Sequence, residues 1–271
     1  MQKYLQEVER EIKKLATQTY KASNDRFAIP RSLGVSNPKQ RKLLKKGFSF
    51  SRLPDAQQWK IWDYIIKNSK LHEAQMAAIR FAEERVTRPQ PVAAGFPAHR
   101  SFSEGGSLRL KRTLKGSATK PNDMLAWRYV RNWSNHIDNW GHSDVLSKVY
   151  SFLHERHPEH IYPTLKKWNK SKRMWHRRIS IVSLIYYASK NRKAPPLSKV
   201  MPLVENLIHD DHHYIQKAVG WTLRECYNLY PQKTYAFLNK HIKQLPAITF
   251  SYSTEKLSKT EKEKLKTKRK K

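Results

Sequence analysis

Apolar residues recur at three- and four-residue intervals through nearly every regular stretch of this chain, and no stretch of useful length alternates apolar with polar. The first period lines one face of an α-helix and the second one face of a strand. A chain that carries only the first is all-α, and its helices must bury their apolar stripes against one another. Residues 2–19 place Tyr4, Leu5, Val8, Ile12 and Leu15 on one face. PKQRKLLKK (38–46) starts with Pro at a first-turn position. PDAQQWKIWDYIIKN (54–68) and LHEAQMAAIRFAEER (71–85) read as a helical pair. Further helices are expected at 122–137, 144–156, 160–170, 175–190, 199–209, 213–229 and 231–243.

Three of these segments can be laid over one another: SDVLSKVYSFLHE, WHRRISIVSLIYYASK and YIQKAVGWTLRECY. Their starts, at 143, 175 and 214, lie roughly thirty to forty residues apart, near the period of two-helix repeats of HEAT or armadillo type. Such units cannot bury their apolar faces alone, so they stack into a curved solenoid with a concave inner surface. The expected organisation is one solenoid over 1–253, interrupted at 86–121. That interruption holds four of the eight glycines, four of the fourteen prolines, and seven Lys/Arg against one Glu, so it reads as a long basic loop. The end, EKLSKTEKEKLKTKRKK (255–271), carries nine basic and three acidic residues. The segment 254–271 is expected to be a disordered arm.

Lys and Arg outnumber Asp and Glu by 54 to 22, a formal charge of +32. That excess points to a polyanionic partner, nucleic acid or an acidic membrane surface. Eight Trp and thirteen Tyr argue against a disordered basic tail protein. The single cysteine, Cys226, excludes an internal disulfide, fits a reducing compartment and sits in an apolar pattern typical of core. The N-terminus MQKYLQEVEREIKKLA has no apolar signal core, and no run approaches the ~18 apolar residues of a membrane span. A soluble, monomeric cytosolic protein without membrane association is the expectation.

In a stack of helical pairs, the starts of equivalent inner helices align along one edge of the concavity. Asp144 stands where one such helix is expected to begin, Arg177 and Arg178 lie in the first turn of the next, and Trp221 lies in the body of the third. With Trp140, four residues before Asp144, these side chains converge if the stacking is right. Spacing alone leaves other roles open: an N-cap for Asp144, core for both tryptophans, an interhelical ion pair for Arg178. HDDHHY (209–214) and HERHPEH (154–160) contain metal-ligand types, but both fall at helix junctions and lack an ordered i, i+4 pair with a distant third ligand.

YIQKAVGWTLRECYNLYP (214–231) resembles the signature of the AlkD-type DNA glycosylases of the DNA alkylation-repair family. NWGHSDVLSK is similar to that family's Trp-x-x-x-Asp element and MWHRRISIVSL to its Trp-x-x-Arg helix start. Upstream, LGVSNPKQRKLLK (33–45) is similar to its second N-terminal helix, and the segment 53–84 fits the pair that follows. The likeness covers nearly the whole chain and departs at 86–121 and in the lysine-rich tail. It implies that Asp144 is the catalytic carboxylate, that Trp140 and Trp221 wall the lesion's deoxyribose, and that Arg178 meets the DNA backbone. Arg177 and Lys217 are expected to share that backbone contact. The resemblance further implies release of N3- and N7-alkylated purines from double-stranded DNA, with no metal or other cofactor and no deep base pocket. A non-catalytic helical-repeat protein binding DNA or RNA is the competing expectation, since phosphate contacts are blind to the sugar.

Overall fold

The computed structural model describes residues 1–87, 121–185 and 194–270, and among them every regular element is helical. In chain order these are α1 (Gln2–Lys13), α2 (Gln18–Arg26), α3 (Asn37–Lys46), α4 (Asp55–Asn68), α5 (His72–Thr87) and α6 (Pro121–Val130). A short 3-10 turn (Trp133–Asn135) precedes α7 (Trp140–Arg156), α8 (Pro158–Asn169), α9 (Met174–Val182) and α10 (Leu197–Glu205). The chain closes with α11 (His213–Leu229), α12 (Pro231–His241), α13 (Ala247–Ser253) and α14 (Lys259–Lys270). The odd-numbered helices α3, α5, α7, α9, α11 and α13 touch in succession and form one continuous layer. Behind it α4 packs on α5, α8 on α7 and α9, α10 on α9 and α11, and α12 on α11. The architecture is the all-α stack of helical pairs that the period implied.

Aromatic side chains fill the first half of the core. Trp59 meets Phe81 edge-on at 4.9 Å and Trp62 meets Phe50 at 5.2 Å. In the second half Tyr150 is fully buried and donates to Val130 O at 2.6 Å, and Cys226 is a core residue whose thiol pKa burial pushes up.

Four expectations meet a different structure. The periodic run 2–19 is broken into α1 and α2, because the loop 32–35 crosses the start of α2. Thr17 N and Oγ1 both donate to Gly34 O (3.0 and 3.2 Å), and Gly34, at φ +81°, would put a Cβ 2.3 Å from Lys21 N. The buried Glu73 carboxylate holds that loop, accepting from Ser32 Oγ (2.6 Å), Leu33 N and Gly34 N (both 3.0 Å), and Val35 N (3.3 Å). Next, α7 begins at Trp140, capped by Asn139, whose Oδ1 accepts from His142 N at 2.9 Å; Asp144 lies inside the helix. The tail is a helix, not a loose arm. Ser258 and Glu261 form a reciprocal cap on α14, Leu265 is buried, and Arg269 donates to Leu245 O at 3.0 Å. Finally, the expected loop 86–121 is trimmed at both ends by α5 and α6, while 88–120 lies outside the described residues. The last residues of the helix expected at 175–190, from 186 on, lie outside them as well.

Candidate active site

The start of α7 is fixed before any functional group is placed on it. The Asn139 side chain caps the helix and offers its Nδ2 to Nδ1 of His142 (2.9 Å) and of His72 (3.3 Å). The two buried imidazoles stack at 4.3 Å and 10°, and His142 Nε2 reaches His72 O at 3.0 Å. A carbonyl only accepts, so this bond assigns the proton of neutral His142 to Nε2 and leaves Nδ1 to accept from Asn139. Burial lowers the pKa of both rings, and that of His142 falls well below the ordinary value.

From that anchored end, Trp140 and Asp144 project one turn apart on the same stripe of α7. The Trp140 indole is held by the α2–α3 connection: Nε1 donates to Phe27 O at 3.2 Å, and the Phe27 ring meets it edge-on at 6.2 Å. Asp144 Oδ1 accepts from Arg178 Nε (3.2 Å) and Nη2 (2.8 Å), while Arg178 Nη1 donates to Tyr214 O at 2.7 Å. One guanidinium thus ties α7 to α9 and α11. The arginine side chain is 11% exposed and the aspartate 32%. Among the described residues nothing donates to Asp144 Oδ2, so one carboxylate oxygen is fixed and the other is open.

Trp221 comes from the middle of α11. Its neighbour Gly220 allows α13 to cross closely, since a Cβ there would sit 2.7 Å from Tyr252 Cβ and 2.8 Å from Thr249 O. Thr249 Oγ1 donates to Gln216 O at 3.0 Å and pins the crossing. The Arg224 guanidinium lies 5.7 Å from the Trp221 ring centroid and is itself paired with Glu225 and Glu255.

These elements enclose a cleft of about 460 Å³ lined by Arg26, Phe27, Ala28, Trp140, Asp144, Arg178, Tyr214, Lys217, Trp221 and Tyr252. Of the residues singled out from sequence, Trp140, Asp144, Arg178, Lys217 and Trp221 line it together. Arg177 does not. Its guanidinium is drawn to Asp210 (2.6 Å) and to the carbonyls of Ser171 and Lys172 (both 3.0 Å), bracing the approach to α9. Arg178 is likewise engaged by protein partners, whereas Lys217 makes no ion pair among the described residues. Sequence reasoning missed Arg26, Phe27 and Ala28 because α2 has no buried face to betray its place, and Ala28 takes a left-handed φ of +51°. It also missed Tyr252, although Tyr214 stood inside the quoted signature.

The two histidine-rich junctions serve the fold. Asp210 receives Arg177, and His212 caps α11 by accepting from Tyr214 N at 3.3 Å. His157 lies 3.1 Å from Asp123, which also receives Arg156 at 2.6 Å. Among the described residues no three His, Cys, Asp or Glu side chains converge as metal ligands would. No described helix is long and apolar enough to cross a membrane.

Comparison with known proteins gives three findings. A family model described as "DNA alkylation repair enzyme" matches residues 1–257. The structure is similar to that of a predicted DNA alkylation repair enzyme from Enterococcus faecalis, with a TM-score of 0.64 and 16% identity over 89% of this chain and 96% of that one. It is also similar to AlkD2 from Streptococcus mutans, with a TM-score of 0.54 and 15% identity over 95% and 99%. No curated protein sequence matches the chain.

Proposed function

Because this chain belongs to the DNA alkylation repair enzyme family, we propose that it is a monofunctional DNA glycosylase. Its substrates are cationic N3- and N7-alkylated purines in duplex DNA, such as 3-methyladenine and 7-methylguanine. The observation that supports this reading most is the state of Asp144. One oxygen is anchored by a guanidinium, the other receives no hydrogen bond from the described residues, and both indoles line the same cleft.

An N3- or N7-alkylpurine already carries positive charge, so the base leaves without being protonated. As the C1′–N bond breaks, its electron pair goes to the departing base, which becomes neutral, and the positive charge passes to C1′ and the ring oxygen of the sugar. Water adds at C1′ and gives up a proton. The open oxygen of Asp144 faces that developing cation and receives the attacking water's hydrogen bond. At ~4 Å and an effective dielectric of ~20 the attraction to the cation is about 4 kcal/mol before the opposing charge of Arg178 is counted. The faces of Trp140 and Trp221 add roughly 0.5–2 kcal/mol each as cation–π partners. Arg178 is a positioning residue that fixes the carboxylate so that little reorganisation is needed during reaction. Lys217, which lines the cleft, serves a phosphate. The cleft is shared by five helices, α2, α7, α9, α11 and α13, which suits a lesion approached at its sugar.

The test is incubation of the full chain with methylated duplex DNA, followed by identification of what is freed. Free 3-methyladenine and 7-methylguanine, with the strand left intact at the abasic site, are expected. Recovery of DNA with every methylated base retained would instead favour a non-catalytic DNA-binding role.

A further inference from the structure

The inner stripe of α7 does not stop at Asp144. One turn further it presents Lys148, whose Nζ lies 2.7 Å from Oε1 of the buried Glu83 on α5. Glu83 Oε2 lies 3.5 Å from Arg80 Nη1 and 3.9 Å from Arg41 Nη2 of α3. Arg80 is itself steered by Asn37, whose Oδ1 accepts from Nη2 at 2.7 Å. With the exposed Lys45, these side chains surround a depression of about 300 Å³ at the meeting of α3, α5 and α7.

The charge here is out of balance. Among the described residues that line it, Arg41, Lys45, Arg80 and Lys148 bring four positive charges and Glu83 and Glu84 two negative ones, a net of +2. A single glutamate satisfies a single cation, yet Glu83 gathers three. Its effect is to stop like charges from splaying apart and to hold them around one point, with Arg41 and Lys148 still partly in solvent. A fixed, net-cationic depression is built for a small anion that accepts several charge-assisted hydrogen bonds. A phosphodiester fits that description.

We infer that this depression seats a phosphodiester of the lesion-bearing strand, one or two nucleotides from the sugar at Asp144. The inference rests on the cleft being the place where that sugar binds. Asp144 and Lys148 are about 6 Å apart along the axis of α7, which is the reach between a deoxyribose and its own or the next phosphate. Sugar and phosphate would then be read by one rigid helix, so that registering the strand places C1′ over the carboxylate.

The probe is a duplex carrying a tetrahydrofuran abasic-site analogue, with each of the three phosphates on either side of it replaced in turn by a neutral methylphosphonate. Affinity is measured for the wild type and for the K148Q and K45Q variants, the second being a surface change that leaves the Glu83 pairs in place. In the wild type, neutralising one of the phosphates within two nucleotides of the analogue should weaken binding roughly tenfold. In K148Q and K45Q the same replacement should cost little, and the slope of log affinity against log salt should fall by about 1. Losses that simply multiply at all six phosphates, with the wild-type salt slope kept by both variants, would overturn the inference. So would coupling confined to the outermost positions. Base release is scored separately on methylated duplex. Coupling without release would refute the glycosylase reading and leave this seat standing.

Discussion

Asp144 and Arg178 divide one task between them. The family resemblance implies a DNA-backbone contact for Arg178, while spacing left an interhelical ion pair open; in the structure its guanidinium donates to Asp144 and to Tyr214 O. On the proposed reading, a guanidinium in that position governs where the carboxylate points more than how strongly DNA binds. Arg178→Ala is therefore expected to slow base release by more than tenfold while the salt dependence of duplex affinity stays near that of the wild type, which titration against salt checks. The loss of the pair should also cost about 1–2 kcal/mol of stability, a value discounted because Asp144 is a third exposed. Lys217 should behave in the opposite way. With no ion pair among the described residues and a place on the cleft, Lys217→Ala should flatten the salt slope by about 1 and leave the single-turnover rate of bound substrate little changed. A slope that falls for Arg178→Ala and not for Lys217→Ala would exchange the two roles.

At the scale of elements, the crossing of α11 and α13 is what brings Trp221 and Tyr252 into one cleft. Gly220→Ala would force a methyl group to 2.7 Å from Tyr252 Cβ and 2.8 Å from a backbone oxygen. The helices must then part, at an expected cost of about 1–3 kcal/mol, read as a lowered denaturation midpoint together with slower base release. The elements also show what could be read in advance. The bounds of α11, and those of α4 and α5 to within two residues, were legible because long apolar stripes carry their own period. The start of α7 was not, since its cap depends on Asn139 and on a stack of His142 with His72 of α5, a contact seventy residues away in sequence. The division of α1 from α2 was hidden for the same reason, because Glu73 and Gly34 impose it from outside the run. For α14 a signal existed and was outweighed by charge: SKTE (258–261) is a capping box, and Leu265 is the one apolar residue it needs on the buried side. Stacking of repeats made a convergence of Trp140, Asp144 and Trp221 conceivable, and the resemblance to the AlkD-type family singled them out as a group. Phe27 and Tyr252 join them through a connection and a short helix, which carry no period at all.

For the whole molecule, buried neutral imidazoles tie stability to pH. Burial lowers the pKa of His72, pushes that of His142 well below the ordinary range, and brings His176 down to about 4. In the unfolded chain these groups take up protons near pH 6.5. Below that value the unfolded state binds more protons than the folded one, so stability is fully present above about 6.5 and declines as pH falls from there toward 4. The net positive charge grows over the same range and adds self-repulsion. The melting temperature should thus fall steadily between pH 7 and pH 5, and a flat profile would mean that these rings are not held neutral. Because the His72–His142 stack seats the start of α7, activity is expected to fade along with it.

The central claim is that a fixed carboxylate steadies a sugar cation as the base departs. The most direct measurement is single-turnover release of 7-methylguanine from duplex DNA by wild type and Asp144→Asn, at protein concentrations that saturate both and with affinity measured alongside. The account predicts similar affinity and release slowed by about 10²–10³-fold. Equal rates at equal saturation would contradict it.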